Sequence, residues 1–198
     1  MAISDYPPSS IPWPMVADWS TLELGGYLAS AADPAIQDVA TRCPPWTIRD
    51  LTAHLAATFR RFADQLDRAI AGDLTAPFGP GDLSRENLRA VELFRGDPLR
   101  ALEQQATRFL REAVRAPAGR LMGHQRGPVP VGLQVIWGLG ELAVHHDDLA
   151  DATGASYRPG DAVVAALVAA KEATDGFQAG SDPWLDYLRS AGRDPKPS

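Results

Sequence analysis

The chain has 198 residues, 45% hydrophobic and 22% charged, with a formal net charge of −6; this is the balance of an ordinary globular domain with one sizeable core. Its scattered basic residues form no stripe for nucleic acid, and no apolar run approaches the roughly 18 residues of a membrane span. The first residues lack a secretory signal, and the single cysteine, Cys43, excludes an internal disulfide framework, so a cytoplasmic protein with neither membrane nor nucleic-acid partner is expected.

The proline-rich residues 1–14 read as an extended segment, with Trp13 packing onto a single helical domain over 15–195. A first helix is expected over 15–32, because Pro34 disfavours helix at Asp33. Residues 33–46 read as an irregular connection. Thr47, with Asp50 three residues on, is the capping-box pattern that opens a second helix. Leu51, Leu55, Phe59, Phe62, Leu66 and Ile70 then recur at helical spacing up to Gly72. After a loop containing Pro77, Gly79, Pro80 and Gly81, a short helix is expected over 84–94. Asp97-Pro98 is a cap followed by proline at the first helical position, which predicts a helix over 98–114. Residues 116–131 read as a glycine- and proline-rich loop. A long helix follows over 132–153, stopping at Gly154, then one through 162–175 and a short one over 183–191. No strand alternation appears. The fold class is therefore all-α, an up-and-down four-helix bundle with short extra helices, in which ligands project inward from facing helices.

Glu141 and His145 stand four apart on the long helix, so both side chains share one face. A carboxylate and an imidazole held that way supply two of the three ligands of an open zinc-type site. His54, on the second helix, is the candidate for the third. Gln134, Trp137, Glu141, His145 and Asp148 fall at spacings of three and four and form one stripe, polar at its centre. Burying those groups without partners costs roughly 2–7 kcal/mol each, and a bound cation removes that cost. The plainer alternative is a Glu–His pair on a wet helix face, but Leu142, Val144 and Leu149 leave no such face. Asp148, one turn from His145, is expected to orient a ligand rather than bind directly.

Thr58 and Arg61 follow His54 on the same face and suit either an anionic substrate or surface carboxylates. Asp50 serves the helix start. His146 points about 100° away from His145 around the helix and is not expected to be a ligand. His124 lies in a loop, where solvent exposure is the ordinary state and a covering role over a site is the alternative. Cys43, before two prolines, is expected to pack as a small apolar group.

Cys43-Pro44-Pro45-Trp46-Thr47-Ile48-Arg49-Asp50-Leu51, followed by His54, resembles the CPGWTVRDLxxH opening of the mycothiol-dependent maleylpyruvate isomerase-like proteins of the DinB-like superfamily. Glu141 to Ala150, continuing to Thr153-Gly154, resembles their ELAVHxWDLAxATG helix, and Gly192-Arg193-Asp194-Pro195 resembles the ending of short members. The resemblance implies a DinB-like bundle that holds Zn2+, or another divalent transition metal such as Ni2+ or Fe2+, through His54, Glu141 and His145. It also implies mycothiol as a thiol cofactor that adds to a cis-enone and leaves, or attacks an electrophile and stays. Either reaction needs a pocket for an anionic substrate, which Thr58 and Arg61 would line. Pro45 replaces the usual glycine, and His146-Asp147 replaces a pair ending in tryptophan, so maleylpyruvate itself is not the expected substrate. A thiol-dependent isomerase or transferase acting on a small electrophile is the leading expectation. The alternatives are a metal-assisted hydrolase and a non-catalytic metal- or small-molecule-binding protein. A homodimer through an alanine-rich helix face is compatible with the sequence.

Overall fold

The computed structural model describes residues 13–79, 82–117 and 119–193. Among these, seven helices run in the order α1 (Trp13–Ser30), α2 (Ile48–Ile70), α3 (Leu83–Phe94), α4 (Pro98–Arg115), α5 (Val131–Thr153), α6 (Asp161–Asp175) and α7 (Pro183–Ser190). Helices α1, α2, α4 and α5 close a ring in which α2 packs on α4, α4 on α1, α1 on α5 and α5 on α2. This is the expected four-helix bundle. Helix α3 lies against α2, while α6 and α7 extend the α5 side. No helix among the described residues is long and apolar enough to cross a membrane.

Two expectations need correction. The segment expected to be extended through residue 14 is helical from Trp13 onward, and its remaining residues, 1–12, lie outside the described residues. The stretch over 116–131 is not simply a loop. It contains an antiparallel pair, β1 (Leu121–Met122) and β2 (Val129–Pro130), with Leu121 opposite Pro130 and Met122 opposite Val129. Strands of two residues carry no readable alternation. What drives this hairpin is burial, since Met122 and Val129 are both fully buried in the core.

Helix α2 begins as its sequence dictates. Thr47 Oγ1 accepts from the Asp50 amide at 3.3 Å, and Asp50 Oδ2 accepts from the Thr47 amide at 3.2 Å. Satisfying both helix-start donors fixes the register from which His54, Thr58 and Arg61 project. The core beside them is aromatic, with Phe59, Phe62 and Phe109 packed at centroid distances of 5.5–6.0 Å. Gly138 lets α5 approach this cluster, because a Cβ there would stand 3.3 Å from Phe59 Cε1. The close approach brings the polar stripe of α5 against the His54 face of α2.

Candidate metal centre

Three side chains from two helices converge at one end of the α2–α5 interface. Nε2 of His54 lies 3.8 Å from Glu141 Oε2, and Nε2 of His145 lies 3.5 Å from the same oxygen. One ligand atom from each of the three residues falls within 4.8 Å of the others. Both distances exceed an ordinary hydrogen bond. They sit near the edge length of roughly 3.4 Å that four ligands at zinc-type bond lengths would share. The donor set and its spacing thus fit a small divalent cation.

The two imidazoles are held differently. His145 Nδ1 lies 2.7 Å from Asp148 Oδ2, so the carboxylate fixes the ring with Nε2 turned toward Glu141. His54 Nδ1 has no partner among the described residues, and its ring stacks instead on Trp46 at a centroid distance of 4.6 Å. Burial keeps His54 neutral, holding its pKa below the ordinary histidine value against the pull of Glu141. Burial also opposes charge on His145, but contacts with Asp148, Cys43 and Glu141 outweigh it and raise that pKa well above the ordinary value. Desolvation opposes charge on Glu141, whose side chain is 41% exposed, but the contacts with His145 and His54 outweigh it and depress its pKa far below the usual carboxylate range.

Asp148 is the buried anion behind the site. Its side chain is fully buried and lies 2.6 Å from Arg42 Nε and 2.9 Å from Arg193 Nη2. Arg42 also pairs with Asp147. Sequence patterning did not reveal either arginine. Cys43 departs from the expected apolar packing: Sγ lies 3.1 Å from Asp148 Oδ2 and accepts from Arg193 Nη2 at 3.1 Å. A thiol between a carboxylate and a guanidinium sits in polar, not aliphatic, surroundings.

His146 faces away toward α1, where Nδ1 meets Glu23 at 2.7 Å and Nε2 meets Ser30 Oγ at 3.0 Å. Asp50 remains at the helix start. Thr58, Arg61, Gln134 and Trp137 all line a cavity of about 400 Å³ that opens onto His54, Glu141 and His145. That volume is in the range of small-molecule and cofactor pockets.

His124 also lines the cavity, its ring tilted against Trp137 at a centroid distance of 5.0 Å. Gly123 makes its placement possible, because a Cβ there would fall 2.4 Å from the Thr75 carbonyl. The clash is with backbone, so Gly123→Ala is expected to shift this loop and cost about 1–3 kcal/mol in thermal unfolding; an unchanged Tm would show that the loop yields freely.

The sequence family described as the mycothiol maleylpyruvate isomerase N-terminal domain matches residues 23–150. Among solved structures, the chain is similar to the crystal structure of the mycothiol-dependent maleylpyruvate isomerase, with 17% identity and a TM-score of 0.65 over 85% of this chain and 71% of that one. A mutant of that isomerase gives the same identity and coverage with a TM-score of 0.66. At this identity the structural likeness is one of fold. No curated protein matches the chain. With the family match covering well over half of its length, this chain belongs to the mycothiol maleylpyruvate isomerase N-terminal domain family.

Proposed function

We propose that this protein is a metal-dependent enzyme that uses a low-molecular-weight thiol, mycothiol or a close analogue, to isomerise or S-modify a small electrophile. His54, Glu141 and His145 would hold a divalent ion of the zinc type. The observation that carries this reading is the pair of 3.5 and 3.8 Å separations around Glu141 Oε2, too long for hydrogen bonds and close to coordination edges. When bound, such an ion with an open position lowers the pKa of a thiol or water meeting it and polarises an electrophile.

The chain's own residues prepare that chemistry. Asp148 accepts the Nδ1 proton of His145, so Nε2 is the nitrogen turned toward Glu141, and it would ligate on giving up the proton that the raised pKa keeps there. Arg42 and Arg193 keep Asp148 ionised, and burial keeps His54 neutral and able to ligate. Trp46 covers one face of the His54 ring and keeps water from it. Family membership favours thiol over water as the nucleophile. Metal-assisted hydrolysis would use the same ligands, and a purely binding role would leave them without turnover.

The test is conversion of a small electrophile, a cis-enone or a halobimane, by zinc-loaded protein with and without mycothiol. Thiol-dependent conversion is expected, falling roughly a hundredfold or more in Glu141→Gln, about 2.7 kcal/mol of barrier. Turnover by water alone would replace this reading with the hydrolase, and saturable binding without turnover would leave a binding protein.

A further inference from the structure

We propose that the far end of the cavity is a subsite for a carboxylate or similar oxyanion, built by Arg61, Gln134 and His124 and set two helical turns from the metal ligands. The inference rests on the reading of His54, Glu141 and His145 as the metal end of the same cavity.

The placement follows from the helices. As α2 runs from His54 to Phe59 and Phe62, its neighbours on α5 step back from His145 to Gly138, so the two helices are antiparallel. Arg61 stands seven residues after His54, and Gln134 seven residues before Glu141. Seven residues are close to two turns and about 10 Å of rise, so both return to the cavity face side by side at the same remove from the ligands. Both line the cavity, as does His124.

All three bring donors that meet no carboxylate directly among the described residues. Arg61 makes direct polar contact only with neutral groups among the described residues, Thr58 Oγ1 at 3.3 Å and Asn87 Oδ1 at 3.4 Å, with the Phe78 ring 5.3 Å from its guanidinium carbon. Glu141 and Glu86 attract it only at a distance. Arg42, Arg108 and Arg193 each lie directly on carboxylates instead. Gln134 is 1% exposed, and its side-chain Nε2 has no partner among the described residues.

His124 Nδ1 accepts the Arg126 amide at 3.1 Å, so the neutral ring carries its proton on Nε2, for which the described residues supply no acceptor. Burial, with Arg126 and Arg61 nearby, pushes its pKa down to about 4, which keeps the ring a neutral donor near pH 7. Lys171 and Arg126, also on the cavity wall, are already paired with Asp175. A partly buried guanidinium that touches no carboxylate and the buried, unpartnered Nε2 of Gln134 on the same wall favour a ligand that supplies acceptors, with the His124 ring beside them as a further donor. An oxyanion supplies them, and a bidentate guanidinium contact makes the recognition charge-assisted. The substrate class is therefore an acid whose electrophilic carbon is separated from its carboxylate by a chain of several carbons.

The experiment compares 6-mercaptohexanoate with 6-mercaptohexanol on zinc-loaded protein by calorimetry, and hexanoate with hexanol on metal-free protein. The acid is expected to bind roughly tenfold tighter than the alcohol or better, at least about 1.4 kcal/mol. Arg61→Gln should abolish that preference, and Gln134→Glu should reverse it, the larger change in both falling on the affinity for the acid. Arg61→Gln should also raise the Tm of the ligand-free protein, a result that damaged folding would not give. Equal affinities for acid and alcohol in the wild type, or a preference that survives Arg61→Gln, overturn the subsite. If zinc is not retained, a hexanoate preference on metal-free protein that Arg61→Gln removes sustains the subsite while the metal reading falls; no difference between hexanoate and hexanol there overturns the subsite as well.

Discussion

Asp148→Ala is expected to lower the Tm by about 10 °C, from a loss of about 3 kcal/mol. The side chain is fully buried, and two guanidiniums, Arg42 and Arg193, converge on it with only 19% and 20% of their side chains exposed. Deleting one partner of a buried pair typically costs roughly 3–5 kcal/mol, because the remaining charge stays desolvated. The partial exposure of the two arginines places this site at the low end of that range. Asp148→Asn keeps the shape and removes the charge, so its Tm should fall less.

Acid dependence separates the two effects. The His145 and Arg193 contacts outweigh burial and hold the Asp148 pKa below the usual carboxylate range in the folded chain. A depressed folded pKa contributes stability above the unfolded value of about 3.9 and loses it as pH falls through the folded value. The fall of Tm below about pH 4 should therefore be shallower in Asp148→Asn. An Asp148→Ala protein that melts with the wild type would show that the arginine cluster contributes nothing to the fold.

The second large effect falls on metal affinity. His54→Ala and Glu141→Gln are each expected to weaken zinc binding roughly a thousandfold, about 4 kcal/mol, whereas Asp148→Asn should weaken it about 10–100-fold by freeing the His145 ring. Affinity should rise with pH. In the metal-free site His145 holds a proton to well above the ordinary histidine value, and an ion at Nε2 must displace it. Below that raised pKa each pH unit costs up to tenfold in apparent affinity; above it the dependence flattens. His54 adds little to this slope, since burial already keeps it neutral. Competition titrations against a chelator of known affinity measure all of this, and a pH-independent constant shared by wild type and His54→Ala would contradict the ligand assignment.

What the sequence disclosed follows how local each signal is. The capping box at Thr47 and Asp50 and the apolar repeat from Leu51 to Ile70 are contained within one helix, and α2 starts where they place it. The pairing of Glu141 with His145 is likewise an intrahelical spacing. His54 is a candidate by residue type alone, but nothing in its own helix says which helix it will face, and the family resemblance strengthens that reading. Arg42 belongs to no periodic pattern and Arg193 stands out only as part of the Gly192-Arg193-Asp194-Pro195 ending, and nothing local ties either to Asp148, 106 and 45 residues away. The available clue was Asp148 itself, a carboxylate on the stripe that faces the core and so in need of cations. Cys43 was misread for the same reason, since its polar neighbours come from α5 and the chain beyond α7. The β1–β2 hairpin is held by burial of Met122 and Val129 and offers no pattern long enough to read.

The most direct test of the central claim is elemental analysis of the purified protein beside His54→Ala. The arrangement of His54 and His145 around Glu141 predicts close to one zinc-type ion per chain in the wild type after dialysis, and near none in the variant. Wild-type protein that retains no metal even after refilling, or a His54→Ala variant that holds it as firmly, would contradict the metal centre and the enzyme reading built on it.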